Sequence, residues 1–153
     1  MAIRRIRFED DPILRKISKP IENINNGLKI LLNDMAETLK LSGGIGIAAV
    51  QVGVLKRVII AVDNNENNVA IINPEIIEKS GEQESHEGSL SVRNIHGVVI
   101  RPAFVKVKGL DVNGKEIIVI GEKRMANVLS HEIDHLDGIL FTDKMIYRQE
   151  DEE

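Results

Sequence analysis

The sequence predicts an α+β fold, in which a helix, several antiparallel strands and a second helix follow one another along the chain. Apolar residues recur at helical spacing near each end of the chain, and short β-branched runs divided by turn residues fill the middle. The length of 153 residues suits one domain with a sizeable core. We assign residues 1–148 to a single domain.

The N-terminal helix is predicted over residues 25–41, and a Ser-Gly-Gly sequence at 42–44 ends it. Turn residues divide the runs that follow, and Asn113-Gly114 is typical of a hairpin. Asn73-Pro74 also predicts a turn. The predicted strands are 58–62, 69–72, 98–100, 104–107 and 117–120.

The C-terminal helix is predicted over residues 122–137, with Gly138 as its cap. At about 100° per residue, one stripe of this helix is apolar, and Glu132 projects inside it. Burial of an unpaired carboxylate is costly, so a glutamate at this position predicts a function. The stripe consists of Met125, Val128, Leu129, Ile133 and Leu136.

Composition excludes several classes of protein. The absence of cysteine rules out a disulfide framework and a thiol nucleophile. No apolar run approaches the roughly 18 residues of a membrane span, and no secretory signal is evident, so we expect a cytoplasmic protein. Four of the last five residues are acidic, which predicts a disordered acidic tail at 149–153. The remaining chain is neutral, which argues against nucleic-acid binding.

Residues 131–135 read His-Glu-Ile-Asp-His, an HExxH motif inside the predicted C-terminal helix. Residues i and i+4 share a helix face, so His131 and His135 can reach one metal ion, with Glu132 as general base beside its water. A thermolysin-like or metzincin-like peptidase needs a third ligand after this motif. Phe141 stands at the metzincin position, and the few carboxylates after His135 lie mainly in the tail. The third ligand must therefore come from upstream.

Three stretches resemble the motifs of peptide deformylases. The sequence GIGIAAVQ at 44–51 is similar to their glycine-rich motif, and EGSLS at 87–91 is similar to their EGCLS motif with one change. HEIDHLDG at 131–138 is similar to their third motif. The motifs also occur in the family's order and spacing, so the resemblance covers nearly the whole chain.

The resemblance implies a cytoplasmic enzyme that removes the formyl group from the N-terminal formyl-methionine of new polypeptides. It implies the fold of that family, with antiparallel sheets packed around the metal-binding helix. It also implies one divalent metal ion, above all Fe2+, which Ni2+, Co2+ or Zn2+ can replace. The implied partners are formyl-methionyl nascent peptides near the ribosome, without a membrane or nucleic-acid contact, and we expect a monomer.

The resemblance also implies roles for individual residues. His131 and His135 would be metal ligands, and metal-bound hydroxide would attack the formyl carbon. Glu132 would accept the proton of the water and later deliver it to the leaving amine. The side-chain amide of Gln51 and the backbone N–H of Leu90 would donate hydrogen bonds to the oxyanion.

Substrate-binding residues are implied in the first and second motifs and on a later strand. The glycine-rich stretch would offer its backbone to an extended peptide, and a glycine there permits close approach. Glu87 and Arg101 would lie near the site and pair with each other. His86 and His96 are expected to be exposed rather than functional. The residues assigned to substrate binding are Gly44, Ile45, Gly46, Glu87 and Arg101.

Ser89 is the main departure, because the resemblance implies a cysteine metal ligand at this position. A thiolate is charged and soft, whereas a hydroxyl is neutral, hard and weakly binding. Three hypotheses follow: a natural deformylase with a looser or different metal site, a deformylase whose cysteine has been exchanged, or a degenerate homologue that binds formylated or acetylated N-termini without turnover. A structural protein without a metal would leave Glu132 unexplained.

Overall fold

The computed structural model describes residues 2–149 and contains two α-helices and eight strands in that range. The helices are α1 (Asn26–Ser42) and α2 (Arg124–Leu136). The strands are β1 (Gly46–Ala48), β2 (Val58–Val62), β3 (Asn68–Ser80), β4 (Gln83–Ser89), β5 (Val92–Arg101), β6 (Phe104–Leu110), β7 (Glu116–Glu122) and β8 (Tyr147–Gln149). Short 3-10 helices comprise Pro12–Arg15, Ala49–Val52 and Phe141–Asp143.

The strands pair into two antiparallel sheets. Five strands follow the order β1-β2-β3-β6-β7, and three follow the order β4-β5-β8. Helix α2 packs on the larger sheet and also contacts β5 of the smaller one, whereas α1 contacts β1 and β2. The predicted α+β class, with antiparallel sheets around the C-terminal helix, is confirmed.

The larger sheet carries a hydrophobic core on each face. Successive side chains of a strand point to opposite faces, and β2 is buried along its whole length. Ile59 and Ala61 belong to the cluster that contains the apolar residues of α2. Val58 and Ile60 belong to the cluster that contains those of α1. Burial on both faces explains the continuous apolar run from which this strand is predicted.

Both helices begin and end within two residues of their predicted bounds. Asn25 caps α1, because its side chain accepts a hydrogen bond of 3.0 Å from the backbone N–H of Leu28. Gly43 ends this helix in the left-handed conformation, with a φ of 71°. Gly138 follows α2 with a φ of 75°, in the capping role that the sequence predicts.

The turn predicted at Asn73-Pro74 is wrong. Both residues lie inside β3, where the register with β6 shifts between Ile72 and Glu75. Asn73 has a φ of 53°, and its side-chain amide accepts from and donates to the backbone of Ile21, at 2.8 and 2.9 Å. These two turn-forming residues therefore produce a bulge in a continuing strand rather than a chain reversal.

Strands β1, β4 and β8 are additional to the predicted ones. Gln149, assigned to the acidic tail, pairs with His96 in the ladder between β8 and β5. The other tail positions, 150–153, lie outside the described residues. Within residues 2–149, no helix is long and apolar enough to cross a bilayer.

Candidate metal centre and active-site cleft

Three buried side chains of α2 form a group that can hold a metal ion. The ligand atoms of His131, Glu132 and His135 all lie within 4.8 Å of one another. Ser89, at the end of β4, brings its Oγ to 3.3 Å from Nε2 of His135. The helix spacing thus places both imidazoles at one point, and the second sheet adds the serine beside them.

Glu87 orients the imidazole of His131 by a contact with its Nδ1 atom. Its Oε1 lies 2.7 Å from Nδ1 of His131, so Nε2 is the nitrogen left for a metal ion. Burial alone would raise the pKa of Glu87, but hydrogen bonds and charges from Arg101 and His131 lower this pKa to about 2. Glu87 is therefore a carboxylate that fixes the ring.

Arg101 holds Glu87 in place. Its Nε and Nη2 donate to the two carboxylate oxygens at 2.8 and 2.7 Å, and its Nη1 donates to Asp134 at 2.6 Å. The predicted pair is present, and it lies in the interior, since the Arg101 side chain is only 2% exposed. Arg101 does not line the cleft, so we expect it to act on the site through Glu87 and His131 rather than by contact with the substrate, to which the sequence analysis assigns it.

Gln51 presents its amide NH2 to the metal centre. Its Oε1 accepts a hydrogen bond of 2.9 Å from the backbone N–H of Ala48, which leaves Nε2 as the donor. Nε2 donates to the hydroxyls of Ser91 and Ser89, at 3.1 and 3.4 Å. The orientation suits a donor to an oxygen that develops charge beside Ser89.

Glu132 is buried, and protein groups do not satisfy both of its carboxylate oxygens. It is 4% exposed, and its Oε1 has no hydrogen-bond partner among the described residues. Burial raises the pKa of Glu132 to about 7 and holds the pKa of His135 well below its usual range, so this imidazole is neutral. The neutral His135 and the oriented His131, beside an unsatisfied carboxylate, are a donor set that fits a divalent metal ion and its water.

Gly46 brings the backbone of β1 against Glu132. A Cβ at this position would lie 2.5 Å from Oε2 of Glu132 and 2.9 Å from Cγ1 of Val128. These contacts are closer than packed atoms allow, so only glycine fits here without a shift of the strand or of the glutamate.

The Gly46→Ala variant is expected to lose about 1–3 kcal/mol of unfolding free energy and much of its activity, because the added methyl group displaces Glu132 or β1. Denaturant unfolding measures the first effect, and formate release from formyl-Met-Ala-Ser, the activity that the resemblance implies, measures the second. Gly27→Ala, at an exposed position in α1, is the control: it should leave the activity unchanged and should not lower the unfolding free energy, since alanine favours the helix more than glycine does. A stable and fully active Gly46→Ala protein would contradict this account of the contact.

A cleft of about 410 Å³ opens beside the metal centre. Among the residues predicted for the site, Arg101 and the buried His135 do not line it. The ones that do are Gly44, Ile45, Gly46, Gln51, Glu87, Ser89, Leu90, His131 and Glu132. The three motifs of the sequence therefore converge on one cleft.

Several residues that line the cleft escape the motif analysis. His86 and His96 are exposed, as predicted, but both lie on the cleft's wall. Ser85, Arg124 and Asn127 line it as well. The spacing of Arg124 and Asn127 could have identified them from the sequence, because positions seven and four residues before His131 share its helix face.

The chain matches the family model of polypeptide deformylase over residues 3–151. A peptide deformylase of Acetivibrio thermocellus is 52% identical to it, covering 99% of this chain and 89% of that one. The crystal structure of a peptide deformylase from Legionella pneumophila superimposes with a TM-score of 0.90 at 42% identity, covering 94% of this chain and 86% of that chain.

A second similar structure is the Met-Ala-Ser-bound class I type b peptide deformylase of Acinetobacter baumannii. It has a TM-score of 0.89 and 34% identity, and the alignment covers 94% of this chain and 99% of that chain. Sequence and structure agree over nearly the full length, and the chain belongs to the polypeptide deformylase family.

Proposed function

We propose that this protein hydrolyses the formyl amide of N-terminal formyl-methionine on nascent polypeptides, giving formate and a free amine. Residues 1–148 act as one catalytic domain, a monomer that works in the cytoplasm near the ribosome. The observation that carries the proposal is the buried Glu132, which lies beside two histidines and Gln51 at the cleft. The comparisons do not favour a homologue that binds without turnover.

The substrate backbone is received by β1. This strand lies at the edge of the five-stranded sheet, and Gly46 and Ile45 line the cleft next to it. An extended peptide can therefore add to the sheet as a further strand, through backbone hydrogen bonds that do not depend on its sequence. This mode suits an enzyme that must process many different N-termini.

The metal site is formed by His131 and His135, with the Ser89 hydroxyl beside them. A divalent ion there supplies Lewis-acid chemistry, which acidifies a water molecule and polarises the formyl carbonyl. We propose Fe2+ as the resident ion, with Ni2+, Co2+ or Zn2+ able to replace it. Glu87 holds His131 in the orientation that this binding requires.

Glu132 moves the protons of the reaction. Its carboxylate accepts the proton of the attacking water and returns it to the amine nitrogen as the amide bond breaks. A pKa near neutrality suits both transfers, and burial shifts the pKa of Glu132 in that direction. The Gln51 Nε2–H and the Leu90 backbone N–H donate to the oxyanion that forms from the formyl oxygen.

The proposed function predicts that the metal-loaded protein releases formate from formyl-Met-Ala-Ser and leaves acetyl-Met-Ala-Ser and internal peptide bonds intact. A coupled formate assay and mass spectrometry of the peptides measure these outcomes. Cleavage of internal bonds without formate release would contradict the proposal in favour of a peptidase. Tight binding of formyl-Met-Ala-Ser without formate release would identify a binding module.

A further inference from the structure

We infer that Asp134, the fourth residue of the HExxH motif, is a positioning residue of the metal centre, whose charge acts through Arg101 and Glu87 on the affinity of His131 for a metal ion. The mechanism proposed above gives Asp134 no role. This role rests on the metal site of the proposed function and deepens it, because it names a residue outside the cleft that sets the affinity of that site.

Asp134 is held at the back of the site by two cations. It follows His131 by three residues on α2, so the two side chains are neighbours on the helix surface. The Asp134 side chain is 15% exposed and does not line the cleft. Nη1 of Arg101 lies 2.6 Å from its Oδ2, and Nζ of Lys144 lies 3.0 Å from the same oxygen. These two cations compensate a carboxylate that would otherwise be costly to bury.

Arg101 carries the influence of Asp134 to the second sheet. The residue ends β5, and its guanidinium contacts Asp134 on α2 and Glu87 on β4 through three short, charge-assisted hydrogen bonds. Because the Arg101 side chain is buried, water screens these charges poorly. Asp134 and Glu87 therefore share the charge of one buried guanidinium.

Glu87 connects this guanidinium to a metal-binding side chain. Its Oε1 lies 2.7 Å from Nη2 of Arg101 and 2.7 Å from Nδ1 of His131, so one oxygen accepts from both groups. A strong acceptor at Nδ1–H makes the other nitrogen of an imidazole a better metal ligand. By neutralising part of the Arg101 charge, Asp134 leaves Glu87 a stronger acceptor for His131. The negative charge of Asp134 also favours a cation at the metal centre directly.

Lys144 distinguishes this electrostatic role from a purely structural one. It is 44% exposed, and it contacts the same Oδ2 of Asp134 that Arg101 contacts. Removal of the Lys144 charge leaves Oδ2 to Arg101 and takes a positive charge away from the metal centre, so metal affinity should not fall. If the ion pairs served only to hold the fold together, loss of either partner of Asp134 would instead weaken the site.

The test titrates the metal-free protein and its variants with Co2+ and with Zn2+. Asp134→Asn keeps the size of the side chain and an oxygen that can accept from Arg101, but it removes the charge. We expect about tenfold weaker metal binding and, in the fully loaded enzyme, an unchanged KM for formyl-Met-Ala-Ser. Asp134→Glu restores the charge and should recover part of the affinity. The matched control is Asp137→Asn, the same exchange at an exposed ion pair with Arg57 at the end of α2, which should leave the affinity unchanged.

Lys144→Gln provides the comparison of opposite sign. Its metal affinity should stay the same or rise by at most about threefold, since water screens an exposed charge. The proton resonance of His131 Nδ1–H, recorded on 15N-labelled metal-free protein, reports the hydrogen bond to Glu87 itself. Asp134→Asn should move this resonance upfield as the bond weakens, whereas Lys144→Gln should not.

The outcomes separate the role of Asp134 from the proposed function. If folded Asp134→Asn keeps its metal affinity and its Nδ1–H resonance, Asp134 has no positioning role. An equal loss of affinity in Lys144→Gln would also overturn that role, in favour of a structural cluster. Thermal unfolding identifies the folded variants, and if Asp134→Asn does not fold, Asp134→Glu and Lys144→Gln decide by the same measurements. A parent protein that binds Co2+ or Zn2+ but releases no formate contradicts the deformylase function, while the affinities still decide on Asp134.

Discussion

Replacement of Glu132 by glutamine is expected to lower the turnover of formyl-Met-Ala-Ser by about 10²-fold or more while the bound metal is retained. Glutamine preserves the shape of the side chain but cannot accept the proton of the attacking water. The histidines remain in place, because His131 is held by Glu87 rather than by Glu132. Steady-state kinetics and metal content per chain, measured on the same preparation, test both parts of this prediction.

Glu84→Gln is the matched control, since Glu84 lies exposed on β4 and should tolerate the same exchange without loss of activity. The metal-free Glu132→Gln protein should also be at least as stable as the metal-free parent. A buried carboxylate with an oxygen lacking a partner costs free energy that a neutral amide avoids in part. If the variant binds less metal or is less stable, yet keeps its activity per bound ion, Glu132 is a structural residue and the mechanism is wrong.

The elements that depend on local pattern could be predicted from the sequence. The continuous apolar run of β2 predicts a buried strand, and the helical spacing of apolar residues in α2 predicts a helix with one buried face. Strand β4 carries no such pattern, because its buried residues are the polar Ser85 and Glu87. Glu87 is buried because Arg101 and His131 compensate its charge, and both partners lie far from it in the sequence.

The residues of the site divide in the same way, into those that a local pattern predicts and those that it does not. The four-residue interval between the two histidines specifies a shared helix face, so these metal-binding residues follow from spacing alone. Ser89 and Gln51 enter only through the resemblance, since single residues on a strand end and a 3-10 helix leave no periodic signal. Sequence does not show whether an ion pair is buried, so it does not distinguish a residue that contacts the substrate from one that, like Arg101, lies behind the site. Asn127 shares the helix face of His131 and lines the cleft, although no motif includes it.

Ser89→Cys is expected to tighten metal binding by about tenfold or more and to raise turnover of formyl-Met-Ala-Ser. Ser89 Oγ lies 3.3 Å from Nε2 of His135 and 3.4 Å from Nε2 of Gln51, so a side chain at this position faces the metal-binding group. A thiolate brings a negative charge and a soft donor atom, where the hydroxyl brings a neutral and hard one. Changes to residues that merely orient a ligand alter metal affinity about 10–100-fold, and a ligand itself should matter at least as much.

Metal titration and deformylation are measured together, with Ser80→Cys as the matched control. Ser80 lies exposed at the end of β3 and does not line the cleft, so its sulfur cannot join the site. Peroxide provides an independent readout, because the Ser89→Cys enzyme should lose activity by oxidation of a sulfur that the parent protein lacks. If Ser89→Cys changes neither affinity nor turnover, Ser89 is not a ligand. If it tightens the metal without deformylation, another part of the catalytic machinery is missing and the degenerate homologue becomes the better hypothesis.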